Sequence, residues 1–120
     1  MRDVIPVLCE RLKAIPELSA LSGMLTHVPK DMSYPYISLE KLGSQENFGT
    51  EVTQVKLKAW SRYAGNAEVS NFESILKQAL EQQGFIEGVC LKIENSKISV
   101  LNDGMTRVFE MDLKILVRED

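Results

Sequence analysis

The side chains that could do chemistry in this 120-residue sequence are scattered rather than grouped. His27 is the single histidine, and no cysteine or second histidine lies near it, so a metal site or a histidine general base lacks partners. We expect His27 to be a surface residue. The sequence also lacks glycine-rich phosphate loops, the G-x-S-x-G phrase and H-E-x-x-H. We therefore expect no catalytic residue, no metal and no cofactor.

Two pairs of residues need a specific interpretation. Glu110 and Asp112 stand two apart in a strand pattern and share a face, which is the arrangement of an acid/base pair. Their alternation with Lys114 instead favours a solvated charged face.

Cys9 and Cys90 lie in a helical and a strand pattern, without C-x-x-C spacing or clustered histidines. They indicate two buried reduced thiols rather than a disulfide.

Composition limits the class of protein. Apolar residues make up 44% of the chain and charged residues 26%, which is typical of one folded domain over residues 1–120 rather than of disorder. A net charge of −3 disfavours binding to a nucleic-acid backbone as the main activity, and the nearest basic candidate is Lys56 with Lys58. The sequence contains neither a bilayer-length apolar run nor a secretion-signal pattern, so we expect it to be made and kept in the cytoplasm.

The first third of the chain predicts one amphipathic helix followed by a connector. Apolar residues recur every three to four positions over residues 3–15, and Pro16 ends this helix. Residues 17–23 predict one further helical turn. From Met24 to Tyr34 no period is visible, which predicts an extended segment on the surface.

A β-hairpin and a second helix follow. Residues 36–40 predict a strand, residues 43–50 a polar loop, and the next strand has two different faces. Its apolar face holds Val55, Leu57 and Ala59, and its polar face holds Gln54, Lys56, Lys58 and Trp60. Asn66 is the predicted N-cap of a helix whose apolar stripe runs from Val69 to Leu80, before a stop at Gly84.

The last third predicts another hairpin. Alternation from Val89 is interrupted at residues 95–97, which indicates a bulge, and Asp103-Gly104 predicts a tight turn. The last strand points five side chains inward: Phe109, Met111, Leu113, Ile115 and Val117. The order α-β-β-α-β-β predicts an α+β domain, a four-stranded antiparallel sheet with helices packed on one face.

A small sheet with a polar face and two edges favours a protein that binds other proteins, because unpaired edges and exposed faces accept neighbouring chains. Such contacts, repeated around an axis, close a ring. Trp60 is the one large aromatic residue assigned to the polar face of its strand, which is typical of a contact with another chain. The alternative is packing at the corner between its strand and the following helix.

Three phrases of the sequence resemble the small tail-completion proteins of long-tailed bacteriophages. "HVPKDMSYPYISLEKLG" at residues 27–43 is similar to their connector and first strand. "KAWSRYAGNAEVSNFESILKQAL" at residues 58–80 is similar to their second strand, polar turn and long helix. "LNDGMTRVFEMDLKILV" at residues 101–117 is similar to their closing hairpin. The resemblance extends from the first helix to Val117, and its weight lies in the order and spacing of these pieces.

The resemblance implies a virion structural protein that forms a ring, a hexamer in expectation, caps the tail tube and joins the tail to the neck of the head. Its implied partners are itself, the tail-tube protein and a neck protein, with DNA only passing through the lumen and no membrane. The candidate docking loop contains Gln45, Glu46, Asn47 and Phe48; the alternative is an ordinary loop with Phe48 tucked onto the sheet. The candidate intersubunit contact contains Trp60, Lys56 and Lys58.

Two other functions stay open at this point. One is a head-completion or connector protein on the portal side of the virion. The other is a small cytosolic enzyme or ligand-binding domain, which would need a pocket collecting several perturbed ionisable groups. The sequence offers no such cluster.

Overall fold

The chain folds into a long twisted sheet with two helices against one face. A computed structural model describes residues 4–18, 24–25, 33–62, 65, 67–82 and 88–118. The helices are α1 (Val4–Lys13) and α2 (Ala67–Leu80), with a 3₁₀ turn at Pro16–Leu18. The strands are β1 (Met24–Leu25), β2 (Tyr36–Asn47), β3 (Thr50–Ser61), β4 (Val89–Val100) and β5 (Arg107–Arg118).

The sheet has the order β1-β2-β3-β5-β4, and its four long strands are antiparallel. This confirms the predicted α+β fold and its order α-β-β-α-β-β. The two-residue β1 pairs in parallel with Ile37 and Ser38 of β2. It lies in the segment predicted to be an unpaired connector, and two residues are too few to carry a period. The remaining residues of that connector before Ser33, with His27, lie outside the described residues, as do Asn66 and Gly84.

The core lies between the helices and one face of the sheet, here called the inner face. Alternation along β3 and β5 places every second residue on it, and most of these side chains are apolar and fully buried. Both helices contribute a stripe at helical spacing, and the buried members are Val4, Ile5, Leu8, Leu12, Val69, Phe72, Leu76 and Leu80. The opposite face, here called the outer face, carries the polar half of each strand.

The predicted polar loop at residues 43–50 is wrong. β2 continues through it to Asn47, with a bulge between Lys41 and Gly43, and only Phe48 and Gly49 form the turn. Both turn residues have positive φ, 50° and 79°, as a two-residue type I′ hairpin turn requires. The segment has no strand pattern of its own, but it pairs with β3, which β5 holds on the other side.

The second hairpin also differs from its prediction in one respect. The bulge in β4 is confirmed, between Ile93 and Asn95. The Asp-Gly turn, however, belongs to a six-residue loop, residues 101–106, in which the Leu101 amide donates a hydrogen bond of 2.8 Å to the Thr106 carbonyl.

Both cysteines are free, as predicted. Cys9 is half-buried and Cys90 is exposed, so the expectation of two buried thiols is wrong. Cys90 lies in the edge strand β4 and points to the outer face of the sheet. Neither α1 nor α2 packs on that face.

Candidate protein-interaction surfaces

The outer face of the sheet carries a ladder of opposite charges. Lys56 lies directly across from Asp112, and Lys58 lies directly across from Glu110. The Nζ atoms of these lysines are 3.9 Å and 3.8 Å from the carboxylates, and Lys97 Nζ on β4 is 3.8 Å from Glu110. Glu110 and Asp112 therefore act as ion-pair partners on a partly exposed face, in line with the solvated interpretation rather than with an acid/base pair.

Two shallow depressions lie in the described part of the chain. A depression of about 350 Å³ lies over the bulge of β4, and its charged lining consists of the ion pairs just described. A second, of about 340 Å³, lies between the 3₁₀ turn and α2, with Glu17 as its one ionisable lining residue. Among the described residues, no group of three metal-ligating side chains comes together. No helix of the described segments combines the length and apolar character needed to span a bilayer.

Trp60 lies on the outer face, near the end of β3, as the strand pattern predicts. Its indole stacks on Tyr36 with ring centroids 5.8 Å apart, and Lys58 Nζ lies 5.5 Å from its centroid. Its Nε1 donates a hydrogen bond to Ser38 Oγ at 2.9 Å. These contacts within its own chain leave the side chain of Trp60 partly buried and partly exposed. Tyr36 is buried beneath it, and this burial, with neighbouring Tyr34, raises the pKa of Tyr36 to about 12.

The same end of the sheet is fixed by Arg62, which follows β3. Its guanidinium lies 4.5 Å from the Tyr34 ring centroid, and its Nε donates to Thr106 Oγ1 at 3.2 Å. Thr106 in turn donates to Asp103 Oδ2 at 2.6 Å, while the backbone amides of Thr106 and Met105 donate to Oδ1. These bonds, that of the Thr106 side chain first, lower the pKa of Asp103 to about 2. These bonds link the loop at residues 101–106 to Arg62 at the end of β3.

Three exposed apolar residues lie at this end of the sheet: Val100 is the last residue of β4, and Leu101 and Met105 belong to the loop. Their side chains are 51%, 39% and 58% exposed. The sequence interpretation did not predict their exposure, because it assigned the Asp-Gly dipeptide to a tight turn and the flanking residues to strands. Apolar residues on both sides of that dipeptide were the available signal.

The hairpin tip, residues 45–49, lies at the opposite end of the sheet. Phe48 is 101% exposed, so it does not pack on the sheet as the alternative interpretation expected.

Next to the tip, Glu51 occupies an inner-face position of β3 and is only 2% exposed. Ser44 donates to its Oε1 at 2.7 Å, while Oε2 has no partner among the described residues. The parity of β3 places residue 51 on the buried face, a signal that the sequence interpretation did not use.

Comparison with known proteins identifies the kind of protein that carries these surfaces. A family model described as tail completion protein gp17 matches residues 6–120. This chain belongs to that family. The tail completion protein is a structural component of a phage-like virion and not an enzyme, and it works in virion assembly among tail and head proteins.

A solved structure titled as the virion of a native gene transfer agent particle contains a chain of the same fold. The TM-score is 0.70 at 18% identity, over 91% of the tail completion protein and 90% of that chain. At this identity the likeness establishes the fold. The search of curated proteins found no match. The resemblance drawn from the three sequence phrases is confirmed by the family model.

Proposed function

We propose that this tail completion protein is a terminator subunit: copies of it form a ring that caps the tail tube, stops its growth and joins the tail to the neck of the head. The supporting observation is that the family match over residues 6–120 belongs to a sheet whose outer face and two ends are uncovered by its own helices. The gene transfer agent chain of the same fold is also part of a virion.

The residues of the ring contact are assigned to the outer face. Trp60, Lys56 and Lys58 share that face, and the side chain of each is partly exposed. Tryptophan is enriched at the centre of protein contacts, and charged side chains are typical of the rim around it. In this proposal the exposed part of Trp60 contacts a neighbouring subunit, while the rest of the side chain packs within its own chain.

The edges of the sheet contribute less to assembly than its face and ends. The edge strand β4 carries a bulge at Glu94, and β2 carries one at Leu42, beyond the two residues that pair with the edge strand β1. Bulges interrupt the row of free backbone groups and discourage indefinite strand pairing between copies. A ring that must close at a fixed number of subunits is consistent with such interrupted edges.

The partners of the ring are other copies, the tail-tube protein and a neck protein. The hairpin tip, with Gln45, Glu46, Asn47 and Phe48, is the protein-contacting element at one end of each subunit. DNA passes through the lumen without being bound, which the net charge of −3 favours by weakening attraction to phosphates. Six subunits are proposed on the resemblance to the family. Assembly takes place in the cytoplasm of the bacterial host.

The proposal is tested with particles that lack this gene and with the purified protein. Electron microscopy of the particles is expected to reveal overlong tails, because nothing stops polymerisation of the tube. Filled but unstable heads with tails of normal length would instead assign the protein to the connector on the portal side. Light scattering of the purified protein with tail tubes should detect rings bound to tube ends. A subunit that stays monomeric and caps no tubes contradicts the proposal.

A further inference from the structure

We propose that the hydrogen bonds around Asp103 protect the Asp103-Gly104 peptide from rearranging to isoaspartate, so that this dipeptide is a modification site that folding suppresses. It lies in the loop that joins β4 to β5. The inference concerns the chemical stability of the chain and goes beyond the proposed ring. It holds or fails independently of the terminator function.

The reaction is a cyclisation within the chain. The backbone nitrogen of Gly104 attacks Cγ of Asp103, a C–N bond forms, and one carboxyl oxygen leaves as water with the carboxyl proton and the amide proton. Water then reopens the cyclic imide. Addition at Cγ restores aspartate, whereas addition at the backbone carbonyl carbon leaves isoaspartate, in which the chain runs through Cβ and Cγ of residue 103. The rearrangement lengthens the backbone by one atom and leaves the mass of the protein unchanged.

The loop favours glycine at position 104, and this preference creates the reactive dipeptide. Gly104 has φ of 71°, a left-handed conformation that glycine adopts without the cost it carries for other residues. A Cβ at this position would meet no atom within 4 Å, so the backbone conformation and not crowding selects glycine. Glycine has no side chain to shield its nitrogen. The residue type that suits the loop is therefore the one that leaves Asp103 most open to attack.

In the folded loop both carboxyl oxygens of Asp103 accept hydrogen bonds. Oδ1 accepts from the backbone amides of Met105 at 2.9 Å and Thr106 at 2.8 Å, and Oδ2 accepts from Thr106 Oγ1 at 2.6 Å, with Arg62 Nη2 4.0 Å away. These donors stabilise the carboxylate, which resists attack, over the neutral acid from which water can leave. Because the pKa of Asp103 is about 2 instead of 3.8, its neutral acid is more than about tenfold rarer at neutral pH than that of an ordinary aspartate.

The attacking nitrogen is also hydrogen-bonded. The Gly104 amide donates to the Leu101 carbonyl at 3.0 Å. Attack requires this nitrogen to lose its proton, and a hydrogen bond to an acceptor stabilises the protonated amide. The folded loop therefore lowers the reactivity of both groups: donors from Met105 and Thr106 act on the carboxyl carbon, and an acceptor in Leu101 acts on the nitrogen.

Thr106 is the residue on which this protection depends most. It is 1% exposed, and both its amide and its hydroxyl donate to Asp103. Its Oγ1 also accepts from Arg62 Nε at 3.2 Å, and its carbonyl accepts from the Leu101 amide at 2.8 Å. The extra backbone atom of an isoaspartate would lie between Leu101 and Thr106. The rearrangement should therefore disrupt the loop that had prevented it.

The first test compares the folded chain with the same chain unfolded in guanidinium chloride, both incubated at neutral pH. Isoaspartate is measured by enzymatic methylation of its carboxyl group and located by peptide mapping. The folded protein should form isoaspartate at residue 103 at least about tenfold more slowly than the unfolded chain. Asp112, which precedes Leu113 in β5, is the internal control and should stay largely unmodified in both states. Equal rates at residue 103 in the two states overturn the inference.

The second test changes the donors in the folded protein, with folding checked by circular dichroism. Thr106→Val removes the hydroxyl and should accelerate the modification roughly fivefold or more, whereas Thr106→Ser keeps the hydroxyl and should retain the wild-type rate. A wild-type rate in folded Thr106→Val overturns the inference. If Thr106→Val does not fold, Arg62→Met takes its place, since it removes the guanidinium beside Oδ2. That variant should also react faster than wild type, and an unchanged rate counts against the inference.

A third variant tests the attacking atom. Gly104→Asn accepts positive φ and adds a side chain that shields the nitrogen. Combined with Thr106→Val, it should suppress isoaspartate at residue 103 below the rate of Thr106→Val alone. Isoaspartate that persists at the same rate would show that the Gly104 nitrogen is not the nucleophile and would overturn the inference. Capping of tail tubes plays no part in these measurements, so failure of the terminator function would leave them unaffected.

Discussion

Trp60 Nε1 donates a hydrogen bond to Ser38 Oγ at 2.9 Å and joins β3 to β2 on the outer face. The same indole stacks on Tyr36, whose side chain is thereby buried. Trp60 therefore stabilises its own subunit whether or not its exposed part also contacts a neighbour. Folding and assembly must be measured separately to divide these two roles.

Trp60→Ala should lower the free energy of unfolding of the subunit by about 2 kcal/mol, because it removes a half-buried ring, its stack and its hydrogen bond. Trp60→Phe keeps the stack and should cost about 1 kcal/mol. Urea denaturation measures both. A loss of association free energy that exceeds the loss of folding free energy supports the intersubunit contact. If Trp60→Ala leaves association unchanged, the indole packs only within its own subunit.

Glu51→Gln should raise the free energy of unfolding by about 1 kcal/mol. The carboxylate is almost fully buried, with one oxygen hydrogen-bonded to Ser44 and the other unpaired among the described residues. A neutral amide keeps the oxygen that accepts from Ser44 and removes the desolvated charge. Glu51→Ala, which removes both oxygens, is the companion variant. A loss of stability in Glu51→Gln would mean that the second oxygen has a partner in the folded protein.

Asp103→Asn should change the pH dependence of folding stability in the acid range. The hydrogen bond from Thr106 and the backbone amides lower the pKa of Asp103 to about 2, below its ordinary value of 3.8. Since the folded pKa is the lower one, this contribution is present above about pH 4 and is lost as the pH falls towards about 2. Thermal unfolding of the two proteins across this range should give curves that converge in acid. Parallel curves would contradict the prediction.

The phenol of Tyr36 should ionise at a higher pH than an exposed tyrosine, because its side chain is buried on the outer face. Burial first, then Tyr34, raises the pKa of Tyr36 to about 12 from its ordinary value of 10.0. Because the folded pKa is the higher one, its contribution to stability is complete below about pH 10 and is lost between about pH 10 and 12. Absorbance of the ionised phenol during titration, with Tyr36→Phe as the reference, measures this. Ionisation of Tyr36 near pH 10 in the folded protein would refute it.

Glu110→Gln should cost less than about 1 kcal/mol of folding stability, although Glu110 accepts ion pairs from both Lys58 and Lys97. These distances are near 3.8 Å and the groups are partly exposed, so water screens much of their attraction. Urea denaturation at low and high salt checks the value. A loss of several kcal/mol would show that the ladder is a main support of the sheet.

Local periodicity was sufficient where the elements are long and one face is buried. The alternation of β3 and β5 correctly assigned Leu57 and Met111 to the core and Trp60 to the outer face. The stripe of α2 was equally clear. Side-chain direction depends only on local backbone geometry, so a single segment reveals it without knowledge of its neighbours.

Local periodicity did not predict which segments pair as strands when their partners are distant in the sequence. Residues 43–47 contain no strand pattern, yet they form strand because β3 lies beside them with its backbone groups available. β1 is a strand only because Ile37 and Ser38 lie next to it. Such choices depend on partners distant in sequence, which a local pattern does not contain.

The sequence by itself therefore determined the order of elements, the inner face and the family to which the chain belongs. Tertiary structure alone decided that Phe48 projects from one end of the sheet and that Met105 is displayed at the other. It also decided that Glu51 is buried with an unpaired oxygen. The physical reason is that exposure and distance are properties of the whole assembled sheet: each strand fixes which way its side chains point, but only its neighbours determine what covers them.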